Sequence, residues 1–399
     1  MNQVLRREMG LGGAIVTGLG SILGTGAFVA IGVASGLWGD AVLVAIPIAG
    51  VVAIFNGMSS AFLAARFPVA GGTYEYGYRT LGPSWGFTAG WLFLLAKTAS
   101  AAAAALGVST FLDTPWDPRI SAAAAVVALT GLVLAGLRRT IAVNVVLVTV
   151  TVVAIVAFGI AGLTQPGPAS PIDREAIRLG LLPAITFLFV AYTGYGRIAT
   201  LGEEVRRPAI TIPRAVMVTL VVAVCLYGLV AIAGRAIGGE YWGASGENDT
   251  TLVDLVAEPV STVVLIGGVT AMLGALLNLI LGLSRVWLAM GRRHDMPERL
   301  SKLDHRSTPV AAISISAVPV LLVVLLGDIS IAWSFSAFTV LLYYGITNLS
   351  AVVVDRKRWT AWLGLISCAL LSFYVTPIVW VIGAGLVALG LVWKAQRRD

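Results

Sequence analysis

The sequence predicts an all-α fold, a polytopic membrane protein of twelve transmembrane helices. Three observations predict it. Hydrophobic residues make up 58% of the 399 and charged residues only 12%, with a mean hydropathy of +0.91, whereas a soluble domain usually carries about 25% charge. Apolar runs recur along the whole chain, most of them near the roughly 20 residues that a helix needs to cross a bilayer. Lysines and arginines collect in alternate connecting segments instead of spreading evenly.

Cutting the chain at charges, at Pro/Gly clusters and by length places the spans at roughly 11–36, 41–64, 84–111, 120–137, 141–163, 179–200, 214–234, 253–289, 309–326, 329–354, 361–375 and 377–393. The first follows Arg6-Arg7, is too long for a signal-peptide core and lacks a small-x-small cleavage site, so it is expected to stay in the mature protein. The joins at 113–118 (Asp-Thr-Pro-Trp-Asp-Pro) and 165–173 (Gln-Pro-Gly-Pro-Ala-Ser-Pro-Ile-Asp) are too polar to lie in lipid, and no soluble domain intrudes. With the N-terminus in the cytoplasm, the inner segments hold 21 of the 27 lysines and arginines. The outer segments hold Arg119, Arg174, Arg178 and Arg235, and Lys97 and Arg197 fall within spans. The excess of inner positive charge predicts an integral protein of the cell (plasma or inner) membrane with both termini cytoplasmic.

The net charge of +7 is therefore a matter of loops, not of nucleic acid. Cys225 and Cys368 lie inside apolar runs and read as small core residues, while His294 and His305 share one basic loop and read as solvated. Neither pair has metal-ligand spacing, so no metal centre is expected.

Span one carries Gly24-Thr25-Gly26-Ala27-Phe28 about 14 residues in, where such a helix should be firmest. Span six carries Tyr192-Thr193-Gly194-Tyr195-Gly196 at a similar depth. A small-residue packing face is the plainer reading of either stretch alone. Five spans separate them, however, and an odd number of spans per unit inverts the second copy, so paired breaks at matching positions point to an inverted-repeat transporter with its site between them. Freed N–H groups at the outer half of span one suit a carboxylate. Freed carbonyls near Ser21, Ile22 and Leu23 suit an ammonium or a sodium ion, and span six adds those of Phe189, Val190 and Tyr192. A zwitterion with both groups on one carbon, an α-amino acid, matches such a site. The expected substrate-binding residues are Ile22, Gly24, Thr25, Gly26, Phe189, Val190, Tyr192 and Gly194.

These residues carry a family resemblance as well. Gly24-Thr25-Gly26-Ala27-Phe28 resembles the Gly-Ser/Thr-Gly-x-Phe signature of the amino acid-polyamine-organocation superfamily of permeases, and Pro68-Val69-Ala70-Gly71-Gly72-Thr73-Tyr74-Glu75-Tyr76 is similar to its loop after the second span. Glu203-Glu204-Val205-Arg206-Arg207-Pro208 with Ile212-Pro213-Arg214-Ala215 resembles the segment after its sixth span. Ser284-Arg285, Met290, Asp295, Met296-Pro297 and Thr308-Pro309 resemble its eighth-to-ninth connection. The likeness covers essentially the whole chain. It implies a 5+5 inverted repeat with broken helices 1 and 6 and two extra C-terminal helices, here 1–163, 164–354 and 355–399, with the amino acid held between the breaks.

The sequence departs from that pattern in two places. Proton-coupled relatives have a lysine in span five where, counting from Asn144, this chain has Thr151; many also have an acidic residue in the span-six break, where this chain reads Tyr195-Gly196-Arg197. The second departure favours neutral over cationic amino acids. The first leaves open a proton, sodium near Ser21, Ile22 and Thr151, or exchange without an ion.

Lys97, near mid-membrane in span three, is too deep for its stem to reach the interface, and desolvation there would let it exchange a proton. A lysine tied to exposed carbonyls beside the small Ala101–Ala105 is the structural alternative. Arg197, within a turn of the inner boundary, reads as a snorkelling helix-end arginine, with a gate residue as the alternative. Glu203 and Glu204 read as interfacial partners of arginines, or as part of an inner gate. Lys97, Thr151, Arg197 and Glu203 are thus the coupling or gating candidates.

The sum is a secondary transporter of α-amino acids in the lipid bilayer and not an enzyme. An amino acid or amine exchanger, or a carrier of polyamines or cationic amino acids, is the alternative. No nucleotide loop of the Gly-x-x-x-x-Gly-Lys-Ser/Thr kind exists for a pump, no carboxylate or histidine cluster for a membrane enzyme, and no filter ring for a channel. No cofactor, nucleic acid or obligate protein partner is expected.

Overall fold

A computed structural model describes residues 5–112, 116–167, 171–239, 252–326 and 329–396. The joins expected at 113–118 and 165–173 lie partly outside these residues, and Arg397 and Arg398 wholly so. The chain runs as α1 (Leu11–Ile22), a π-helical segment (Gly26–Ala30), α2 (Ile31–Trp38), α3 (Ala41–Arg66), α4 (Thr73–Thr80), α5 (Pro83–Leu112), α6 (Pro118–Leu134) and α7 (Leu137–Thr164). It continues with α8 (Arg174–Tyr192), a 3₁₀ turn (Thr193–Tyr195), α9 (Gly196–Thr200), α10 (Pro208–Gly238), α11 (Val260–Arg292), α12 (Val310–Leu326), α13 (Ile329–Val354), α14 (Trp359–Ser372) and α15 (Pro377–Gln396).

Among the described residues nine helical stretches are long and apolar enough to cross a membrane. Three shorter apolar helices, at Pro118–Leu134, Val310–Leu325 and Trp359–Ser372, stand where the fourth, ninth and eleventh spans are expected. At 1.5 Å per residue the 17-residue α6 is about 25 Å long. Its ends explain its length: the Asp117 carboxylate accepts the Arg119 amide hydrogen at the start, and Gly136 turns the chain at φ 111° before α7 begins. Asp173 caps α8 in the same way, accepting from the amides of Glu175 and Ala176, so this helix starts five residues before the expected 179.

Two expectations need correction. The segment after span two is not only loop, because Gly71 and Gly72, at φ 101° and 56°, reverse the chain into α4, whose first turn carries Glu75. Of the two cysteines only Cys368 is buried. Cys225 is exposed on the outer surface of α10, a position lipid can cover.

Both described chain ends meet one face of the bundle. The Met9 amide donates to Glu204 O at 2.9 Å and the Arg206 amide to Met9 O at 2.8 Å, which joins the start of span one to the segment after span six. Lys394, at the other end, lies 3.9 Å from Asp295, whose carboxylate accepts the Tyr74 hydroxyl at 2.7 Å, and its ammonium also donates to Pro83 O. An even number of crossings gives this arrangement.

Candidate functional site

Helix hydrogen bonding changes register at two stretches that face each other in the centre of the bundle. α1 ends where the Leu23 amide donates to Leu19 O, a turn follows at Leu23–Gly24, and the chain resumes with wide π-type turns over Gly26–Ala30. Between α8 and α9 the pattern tightens to 3₁₀ over Thr193–Tyr195. Neither stretch unwinds into a loop: Leu23, Thr25, Thr193 and Tyr195 all keep φ between −54° and −73°. Such local 3₁₀ and π segments often mark functional positions.

The two stretches pack closely because they lack side chains where they meet. A Cβ on Gly194 would meet Ser21 O and the Ile22 side chain, and one on Gly26 would meet the Tyr227 hydroxyl and Ala191 Cβ. Gly24 faces elsewhere, toward Ala271 O and Ala275 on α11. Tyr227 of α10 joins the two helices, its hydroxyl lying 2.5 Å from Ile22 O and 3.1 Å from Ala191 O. Tyr344 of α13 donates to Thr193 O at 3.0 Å. Three carbonyls thus lie against tyrosine hydroxyls, and a fourth, Val190 O, accepts from the Thr193 amide and hydroxyl. Sequence reasoning missed Tyr227 and Tyr344. The signal was there: a tyrosine inside an apolar span carries a hydroxyl that must find an acceptor.

A cavity of about 30 Å³ lies between the stretches, room for one or two waters. Ser21, Ile22, Thr25 and Gly26 line it from the first, and Val190, Ala191, Thr193 and Gly194 from the second. Lys97 and Ser100 of α5, Ala275 and Leu279 of α11 and Trp333 of α13 complete it. Of the expected substrate residues, Ile22, Thr25, Gly26, Val190 and Gly194 reach this cavity and Gly24, Phe189 and Tyr192 do not. The Phe189 ring meets Tyr344 edge-on, and Tyr192 donates to Ile46 O on α3 at 3.0 Å.

Lys97 is buried, and its ammonium donates to the Thr193 hydroxyl at 2.9 Å. Span three thereby touches the register change in span six through a charged group, with no carboxylate paired to it among the described residues. Thr151 is buried away from this point: its hydroxyl donates to Leu147 O at 2.8 Å and lies 3.3 Å from Thr270. The Ser21 hydroxyl donates to Thr17 O. Of the residues expected to hold sodium, Ser21 and Ile22 line the cavity and Thr151 does not.

Arg197 requires a correction. It does not snorkel to the membrane boundary but is 2% exposed, its guanidinium 5.5 Å from the Phe93 ring centre and pressed against Gly282 of α11. The 3₁₀ turn ahead of it rotates the helix so that this side chain points into the bundle.

Ion pairs lie on both faces of the bundle. On the face that holds both chain ends, Arg285 clasps Glu204 through two hydrogen bonds at 2.6 and 3.0 Å, both side chains 4% exposed. Arg292 pairs with Glu203, which also accepts the Ala70 amide, and Glu75 receives Arg79 and Arg293. The Glu75 carboxylate holds the Arg293 guanidinium above its ordinary pKa, and burial next to Asp295 raises the Tyr74 phenol. On the opposite face Arg235 of α10 binds Asp40, at 2.6 Å, and Asp40 accepts the Asp173 amide.

The sequence model of a family described as amino acid permease matches residues 13–397. An uncharacterized transporter of Mycobacterium tuberculosis is 40% identical over 99% of this chain and 92% of its own length. The branched-chain amino acid permease BcaP of Bacillus subtilis is 25% identical over 77% of this chain and 72% of its own, and the serine/threonine exchanger SteT of the same organism 25% identical over 89% and 84%.

Proposed function

This chain belongs to the amino acid permease family, and from that premise we propose that it is a secondary transporter that moves α-amino acids by alternating access around the cavity between its two interrupted helices. It is an integral membrane protein and an amino acid transporter by family; site and mechanism are the proposal. One observation carries it. A polar-lined cavity lies between the register changes of α1 and α8, with ion pairs on both faces of the bundle. Substrate can enter such a site only if one set of pairs opens at a time.

Twelve spans in a 5+5 inverted repeat, with repeats at 1–163 and 164–354 and extra helices over 355–399, are the architecture this reading requires. The close packing of α3 on α10 and of α5 on α11, the second and third spans of each half, supports it. The basic residues support cytoplasmic termini in the cell membrane. Among the described residues no carboxylate lines the cavity, which favours substrates without a positively charged side chain, of which the neutral class expected from the sequence is one. Lys97 is the coupling candidate, since it touches Thr193 and a lysine can release its proton. Obligatory exchange is a second reading, favoured by the likeness to the serine/threonine exchanger. Labelled amino-acid uptake into proteoliposomes, with pH and sodium gradients imposed in turn, tests both. Accumulation on a pH gradient supports proton coupling, uptake only against internal amino acid supports exchange, and no saturable uptake of any amino acid overturns the transporter reading.

A further inference from the structure

Arg197 is a buried cation with an unmet requirement. Its Nε and Nη1 have no hydrogen-bond partner among the described residues, and no carboxylate lies within ion-pair distance of it. The acidic residues nearest in sequence are already paired, Glu203 with Arg292 and Glu204 with Arg285. An arginine cannot relieve this by losing its proton, because guanidinium stays charged in proteins. The ring of Phe93 offers only its face. Buried charge without an acceptor is unfavourable and is characteristically kept where a ligand completes it.

The position of Arg197 defines that ligand. Thr193, in the 3₁₀ turn, lines the cavity, and Arg197 is four residues further on, in α9. Leu279 lines the cavity, and Gly282, which makes room for the guanidinium, is three residues further on α11. Lys97 lines the cavity, and Phe93, beneath the guanidinium, is four residues back on α5. Three helices therefore agree that Arg197 lies one helical turn, about 5.4 Å, from the cavity wall toward the face with the chain ends. That is about the span of a short aliphatic side chain ending in a carboxylate.

We infer that Arg197 recognises the side-chain carboxylate of the transported amino acid, so that acidic amino acids of the aspartate or glutamate type are the preferred substrates. The inference rests on the transporter reading above and narrows it. Among side chains without positive charge, the lining alone does not separate neutral from acidic ones; the unpaired guanidinium one turn away does. A planar fork of donors fits a carboxylate and does not fit an amide equally well, so discrimination between glutamate and glutamine is the sharp consequence.

The test is competition for labelled-substrate counterflow in proteoliposomes by L-glutamate, L-aspartate, L-glutamine, L-leucine and L-lysine. The wild-type protein is expected to favour glutamate over glutamine by roughly 10- to 100-fold, the range of a charge-assisted pair. Arg197→Gln should bring that ratio close to one. Gly282→Ala keeps the charge but fills the space of the guanidinium, and should lower the ratio too. A wild-type protein that takes glutamine or leucine in preference to glutamate overturns the inference while leaving amino acid transport intact, and needs no variant to fold. Absence of uptake for every member of the panel overturns the transporter reading itself, and with it the inference.

Discussion

Three buried residues at the centre have distinct jobs because their chemistry differs. Lys97 has an acceptor, the Thr193 hydroxyl, and can exist neutral; Arg197 has two donors without one and cannot. The proposed transport mechanism accordingly gives coupling to the lysine. Lys97→Met keeps the volume and removes the charge, and is expected to abolish uptake driven by a pH gradient while counterflow survives; proteoliposome uptake with and without the gradient measures both. Retained accumulation on the gradient would assign the proton elsewhere. Gly26 has a steric job. A β-branched side chain there runs into the Tyr227 hydroxyl and Ala191, so Gly26→Val should both abolish substrate binding and lower stability, by about 1–3 kcal/mol as for overpacking. Binding assays and thermal unfolding in detergent check the two parts separately.

Among the helices, the important link is α10, which holds the ends of the two interrupted ones together through a single hydroxyl. A register change that leaves carbonyls free at bilayer depth needs such a partner. Tyr227→Phe removes it with the ring still in place, tilted against Tyr192 with ring centres 5.0 Å apart. We expect a loss of about 0.5–1.5 kcal/mol in stability, the worth of a buried hydrogen bond, together with weaker substrate binding, because the two halves of the site are no longer held in register. Unchanged affinity in counterflow would mean that helix packing alone holds the cavity.

At the scale of the whole molecule, the proposed alternating access makes the two sets of ion pairs opposed latches. Removing one member of a buried pair leaves an uncompensated charge and costs about 3–5 kcal/mol, enough to shift the balance between two closed faces. Glu204→Gln unpairs Arg285 and should open the face that holds the chain ends, whereas Asp40→Asn unpairs Arg235 and should open the other. A cysteine placed at Leu279, which lines the cavity, reports the outcome. Labelling by a membrane-impermeant maleimide should rise from opposite sides of the vesicle in the two variants. A rise from the same side in both would show that the pairs brace the fold and do not gate it.

The sequence by itself determined the solvent, the family and the two stretches where helix register changes. Apolar composition and run length are properties of each segment alone, and glycines flanking Thr25 and Tyr195 weaken a helix wherever it is packed. Sequence also carried the charge statement that no carboxylate stands in the span-six break. What it could not determine is where side chains point once a helix changes register. The 3₁₀ turn at Thr193–Tyr195 rotates everything after it, so Arg197, which local position assigned to the membrane boundary, is turned into the bundle against Phe93 and Gly282. Lys97 meets Thr193 across 96 residues and Tyr227 meets Ile22 across 205. Those meetings depend on how helices from both halves of the chain pack, and only the tertiary structure supplies that.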